Sequence, residues 1–164
     1  MFKHLDNNRG LSLIELVVTM VILGILTSMI IPSARMTSIR LKELELKQNL
    51  REIRTALDEY KKYYDKAVEE KKIIPSLNKP AGYPETLQVL VDGYDFGGLV
   101  GYKKKFLRRI PSDPFHPVKE GEPAWGMRSY EDEPDSSSWG GQDVFDVYSL
   151  SDGTALDGTK YKDW

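Results

Sequence analysis

Arg9-Gly10-Leu11-Ser12-Leu13-Ile14-Glu15-Leu16 opens a 21-residue apolar run, Leu11 to Ile31, which holds one carboxylate and stops at Pro32. A ten-residue polar leader, MFKHLDNNRG, precedes it. At about 1.5 Å per residue such a helix spans about 30 Å, the thickness of a bilayer core. A carboxylate inside it costs about 2.5–3.5 kcal/mol on insertion scales, so Glu15 reads as functional. An ordinary export signal places its small cleavage residue after the apolar region. Here the small residue, Gly10, stands before it, so a cut there removes the leader and keeps the whole hydrophobic segment. Lys3 and Arg9 before the run favour a cytoplasmic N-terminus, while Arg35, Arg40 and Lys42 follow it closely.

Gly10, the hydrophobic Leu11, Glu15 and Pro32 together resemble the leader and spine helix of type IV pilins and pseudopilins. The resemblance implies that a prepilin peptidase cuts between Gly10 and Leu11 on the cytoplasmic face. Leu11 then carries the methylated amine, in a place where the family most often has Phe. It further implies a single-pass precursor in the bacterial inner membrane, extracted from the lipid bilayer into a filament. The chemistry of Glu15 agrees. Cleavage creates a positive amine, and a carboxylate four residues on lies one helical turn away. It can neutralise that amine in its own chain or in a neighbour. Pairing across neighbours rewards a subunit for joining in register.

The chain reads in segments: leader 1–10, hydrophobic helix 11–32, amphipathic continuation 33–72, and a C-terminal region 73–164. In the continuation, Ile39, Leu46, Leu50, Ile53, Leu57, Tyr60, Tyr64 and Ala67 form one apolar stripe at helical spacing. Lys42, Glu45, Arg51, Asp58, Lys62 and Glu69 occupy the opposite face. The stripe is expected to pack on the C-terminal region. Pro32 removes one backbone bond, so a bend or local unwinding is expected there, and Pro75 marks the latest end of the helix.

Gly82 to Val91 suggests a short helix with Pro84 in its first turn and Gly93 behind it. Asp92 to Gly101 reads as loop. Lys103 to Arg109 is a basic cluster, either solvated or in contact with an acidic neighbour such as Glu131 to Asp135. Pro111, Pro114 and Pro117 exclude helix from the segment around them. Gly126 to Tyr130 and Val144 to Leu150 read as strands. The fold class is therefore α+β: a long N-terminal spine helix packed on a small antiparallel sheet of about three strands.

Tyr83-Pro84 with Thr86, then Ile110 to Phe115, then Phe145 to Leu150 followed by Asp152-Gly153, resemble the major pseudopilin of type II secretion systems. That likeness implies a structural subunit that polymerises with itself into a short periplasmic filament. The filament helps drive protein export across the outer membrane. Its partners would be the prepilin peptidase, an inner-membrane secretion platform and minor pseudopilins. A surface type IV pilin for adhesion, motility, DNA uptake or electron transfer is the second reading. The segment from Gly121 to Gly141 departs from the family's compact hairpin in being longer and more acidic.

The tail carries Asp152-Gly153, Asp157-Gly158 and Asp163, whose oxygens can converge on one cation. Calcium takes six to eight oxygens and accepts flexible loops. The resemblance implies calcium here, with Asp152 and Asp163 as carboxylate ligands and the Leu150 carbonyl beside them. Asp157 would add a third carboxylate. A region without cysteine gains from such a staple.

Other classes fit poorly. Loss of Lys3, Asp6 and Arg9 with the leader leaves 21 basic and 24 acidic residues, a formal charge of −3, which does not suit nucleic acid. The histidines are His4, in the leader, and His116, in a proline-flanked loop. With no cysteine, no glycine-rich phosphate loop and no histidine pair at metal spacing, an enzyme is not expected.

Overall fold

The computed structural model describes residues 12–75, 81–118 and 122–164, with the side chains of 29–34 outside that description. The chain divides into two compact units, Met1–Arg40 and Leu41–Trp164.

Helix α1, Leu13–Glu69, begins in the first unit. Helical backbone continues at Pro32, so the local unwinding expected there does not occur. A proline deletes one amide donor, and the turns on either side still hold the helix. The side chains from Ser12 to Ser28 are all exposed, including Leu13 at 81% and Leu23 at 62%. Among the described residues no helix is long and apolar enough to cross a membrane. The expected span includes Leu11, which lies outside the described residues, and the undescribed side chains of 29–31.

In the second unit α1 supplies the floor of the core. Leu46, Leu50, Ile53, Leu57, Tyr60, Tyr64 and Ala67 are all buried, in steps of four and three. Ile39, the first member of the expected stripe, is 37% exposed and precedes this unit. Lys42, Glu45, Arg51, Asp58, Lys62 and Glu69 are exposed, as expected of the opposite face. The helix stops before Pro75. Lys71 takes a left-handed φ of 57°, Lys72 N–H bonds Ala67 O at 2.8 Å and Lys71 N–H bonds Val68 O at 2.9 Å. This pair of bonds satisfies carbonyls that the helix end would otherwise orphan.

Helix α2, Gln88–Asp92, is shorter and starts later than expected. Its buried Leu90 offers a carbonyl to Phe106 N–H at 2.9 Å and Leu107 N–H at 3.0 Å, which ties the basic segment to the core. Strand β1, Gly126–Arg128, pairs antiparallel with β2, Asp146–Tyr148, with Met127 opposite Val147. Both strands lie within the expected segments, but the sheet has two strands rather than three. Tyr94–Lys104 and Thr154–Lys160 form only isolated bridges. Proline removes ladder donors and Asp-Gly turns reverse the chain too soon for a third strand. Gly126 is required where it stands: a Cβ there would come within 2.3 Å of the Tyr148 ring. Trp125, Phe96, Val144 and Val147 are fully buried and complete the core with the α1 stripe.

Candidate assembly site and C-terminal loop

At the N-terminal end, Glu15 sits exposed in the first turn of α1. A carboxylate there complements the positive end of the helix dipole. Leu16 N–H bonds the Ser12 carbonyl at 3.1 Å. Ser12 and Glu15 also have the spacing of a capping box, a signal that the buried-charge reading overlooked. The hydroxyls of Thr19, Thr27 and Ser28 bond back to the carbonyls of Leu16, Leu23 and Ile25 at 2.7–2.8 Å. These polar groups are therefore satisfied within their own helix. Glu15 is the one charged side chain from Ser12 to Ser28. Gly10 and Leu11, the expected cleavage and methylation residues, lie outside the described residues, as does the side chain of Pro32.

Residues 5–31 match the family model of the prokaryotic N-terminal methylation motif. The chain is type IV pilin-like. That motif marks type IV pilin and pseudopilin-like proteins, and it implies prepilin peptidase processing, a membrane-anchored precursor and pilus-like assembly into a homopolymer. No curated protein and no solved structure matches the chain.

In this pilin-like subunit the three C-terminal segments singled out in the sequence meet one another. Val144 N–H bonds the Pro84 carbonyl at 2.8 Å. Trp125 Nε1–H bonds Pro111 O at 2.8 Å. Ser149 Oγ–H donates to Oδ2 of the buried Asp113, whose Oδ1 accepts from Phe115 N–H at 2.7 Å. Phe115 stacks on Tyr161 with ring centroids 4.1 Å apart, so the tail closes the same collar.

The tail carries the three aspartates expected as ligands, Asp152, Asp157 and Asp163. Among the described residues no group of three or more His, Cys, Asp or Glu is placed to hold a metal ion. Asp152, Asp157 and Asp163 therefore do not form such a three-carboxylate group. Asp157 is engaged locally: its Oδ1 accepts from Thr159 Oγ1–H at 2.6 Å and Thr159 N–H at 3.0 Å. These bonds, the hydroxyl's first, hold its carboxyl below the usual range. Asp163 lies in a 3-10 turn, Tyr161–Asp163, and is exposed, as is Asp152. Leu150 is half-buried beside Ser149.

The staple comes instead from one flank of α1. Glu43 Oε1 accepts from Leu156 N–H at 2.8 Å and Tyr161 O–H at 3.2 Å. Burial, with the Glu43 bond second, pushes the Tyr161 phenol up to about 12. Lys47 Nζ stands 4.0 Å from the Trp164 ring centroid. Arg54 Nε–H donates to Asp146 Oδ1 at 2.7 Å, and its Nη2 donates to Val147 O at 3.0 Å and Trp164 O at 2.7 Å. Glu43, Lys47 and Arg54 follow helical spacing, which was the available signal. Sequence reasoning missed them because polar residues beside an apolar stripe read as solvated.

Lys104 lies over the Tyr63 and Phe106 rings at 5.1 and 5.7 Å, while Lys103, Lys105, Arg108 and Arg109 are exposed. Among the described residues no ion pair joins them to Glu131, Asp132, Glu133 or Asp135. Asp132 instead organises its own loop by accepting from Ser129 Oγ–H at 2.6 Å, Ser129 N–H at 2.7 Å and Gly140 N–H at 3.0 Å.

Proposed function

We propose that this chain is the major pseudopilin of a type II secretion system, a non-enzymatic subunit of a periplasmic filament that drives protein export across the outer membrane. The observation that carries the reading is the collar. Tyr83-Pro84 with Thr86, Ile110 to Phe115 and Phe145 to Leu150 carry the resemblance to that subunit, and they meet: the Tyr83 ring packs edge-on against Phe145 at 5.1 Å between centroids, and Ser149 Oγ–H donates to Asp113. The apolar side chains from Leu13 to Leu26 are exposed, and lipid covers them in the precursor and neighbouring copies cover them in the filament. Working partners are then the prepilin peptidase, the inner-membrane platform and minor pseudopilins.

The second reading, a surface type IV pilin, is favoured by the tail, which closes through Glu43, Lys47 and Arg54 rather than through a cluster of carboxylates. Deleting the gene in its host separates the two. The pseudopilin reading expects secreted enzymes to accumulate in the periplasm while surface filaments, adhesion and motility persist. Normal export with loss of surface filaments would establish the surface pilin.

A further inference from the structure

The second unit carries two exposed patches of opposite charge, one on each flank of α1. Phe106 and Leu107 line a hollow with Gln48, Glu52 and Glu59, which places the basic segment on one flank. Arg54 binds Asp146 on the other flank, where Tyr130, Asp132, Pro134 and Phe145 share a hollow of about 370 Å³ with Asp146. At 100° per residue, positions 48, 52 and 59 and positions 47, 54 and 58 fall on opposite sides of the buried stripe. Each patch has an aromatic and a charged part. Tyr102 is 67% exposed beside Lys103 and Lys105. Tyr130 at 59% and Phe145 at 41% stand with ring centroids 5.3 Å apart next to exposed Glu131, Glu133 and Asp135. Among the described residues no ion pair joins one charge set to the other.

We infer that these patches form a head-to-tail contact between copies: the Tyr102 to Arg109 segment of one subunit docks on the Tyr130–Phe145 aromatic surface and acidic loop of the next. Two complementary patches on opposite sides of a protomer give a heterologous interface, which propagates without closing when the rotation does not form a ring. A self-complementary patch would give only a dimer. The aromatic parts supply buried area, and the opposite charges set register and exclude like-to-like contact. This inference rests on the homopolymeric filament reading and adds the surface through which the second units meet.

The absence of cysteine makes the test direct. Full-length chains carrying Lys105→Cys, Glu133→Cys or both are assembled into filaments and treated with a short bismaleimide. The double variant is expected to give a ladder of dimers, trimers and higher species, and each single variant none. Adding Arg108→Glu to the double variant should cut the ladder about tenfold. Co-assembly with subunits bearing Glu131→Lys should restore it. Filaments that form normally but yield no ladder, or dimers from either single variant, would overturn the docking and leave the filament reading intact. Failure of the unmodified chain to form filaments would overturn both.

Discussion

Glu15 has two physical roles available, and they differ in consequence. At the first turn of α1 it complements the helix dipole, which is worth about 0.3–1 kcal/mol. As the one charge from Ser12 to Ser28 it can also neutralise the amine that removal of the leader creates. A Glu15→Gln variant separates side-chain capping from both charge effects, because the amide keeps hydrogen-bonding capacity and loses charge. Glu15→Ala, Glu15→Leu and Glu15→Gln are all expected to abolish filaments while the leader is still removed. Normal yield from the glutamine variant, measured by shearing and gel electrophoresis, would reduce Glu15 to a helix cap. Arg54 is the second informative residue. Its guanidinium meets Asp146, Val147 and Trp164 with a fork that no lysine reproduces. The side chain is 39% exposed, which discounts the ion pair. Arg54→Ala should cost about 2 kcal/mol, seen as a fall of about 8 °C in Tm, and Arg54→Lys should recover only part of it.

At the scale of elements, the buried half of α1 is where stability concentrates. Leu57 is fully buried in the core cluster that also holds Leu90 and Val147, so Leu57→Ala should cost about 3 kcal/mol by urea unfolding. Lys62→Ala, on the exposed face, should change little. This helix was legible because seven buried positions repeat in steps of four and three, a period that only a helix satisfies. The sheet was less so. Val144 to Leu150 is rich in β-branched and aromatic residues, yet only Asp146–Tyr148 pairs, because ladder length depends on the partner strand and not on local propensity. Glu43, Lys47 and Arg54 were illegible for a further reason: the hydrogen-bond partners of Glu43 and Arg54 lie 92 to 118 positions away, and Lys47 reaches the ring of Trp164. Of the site, Glu15 stood out as a charge out of place, whereas the Asp-Gly turns alone do not separate a turn from a cation loop, because turn chemistry and calcium chemistry use the same residues.

The Asp157 turn has its own signature. Bonds from Thr159 stabilise the ionised carboxylate, so the folded group titrates below its unfolded value of about 3.8. The contribution is present above that value and disappears as pH falls through the lower folded value. The Thr159 amide resonance should therefore move with a midpoint below that of an ordinary aspartate, and Asp157→Asn should abolish the movement.

For the whole molecule, the arrangement of the tail separates closure by side chains from closure by a cation. Because Glu43, Lys47 and Arg54 already hold the tail, Tm is expected to be the same with calcium and with chelator. A clear fall on chelation would instead make those carboxylates ligands and strengthen the secretion reading. The formal charge of −3 on the processed chain is modest, but it is segregated. Segregation of basic and acidic patches favours ordered association over random clumping, and it makes assembly sensitive to salt on the scale of a Debye length, about 8 Å at physiological ionic strength.

The grip of α1 on the tail also sets an order of events. Glu43 reaches Leu156 across 113 positions, and Arg54 reaches Trp164 across 110. Helix formation is local and fast, while joining points this far apart along the chain requires closing a long loop. The tail is expected to dock after α1 has formed, which unfolding and refolding rates of an Arg54→Ala variant would check. Late contacts are absent from the folding transition state, so loosening them speeds unfolding and leaves folding nearly unchanged. The durability of each subunit, as distinct from its ease of folding, then resides in its last dozen residues.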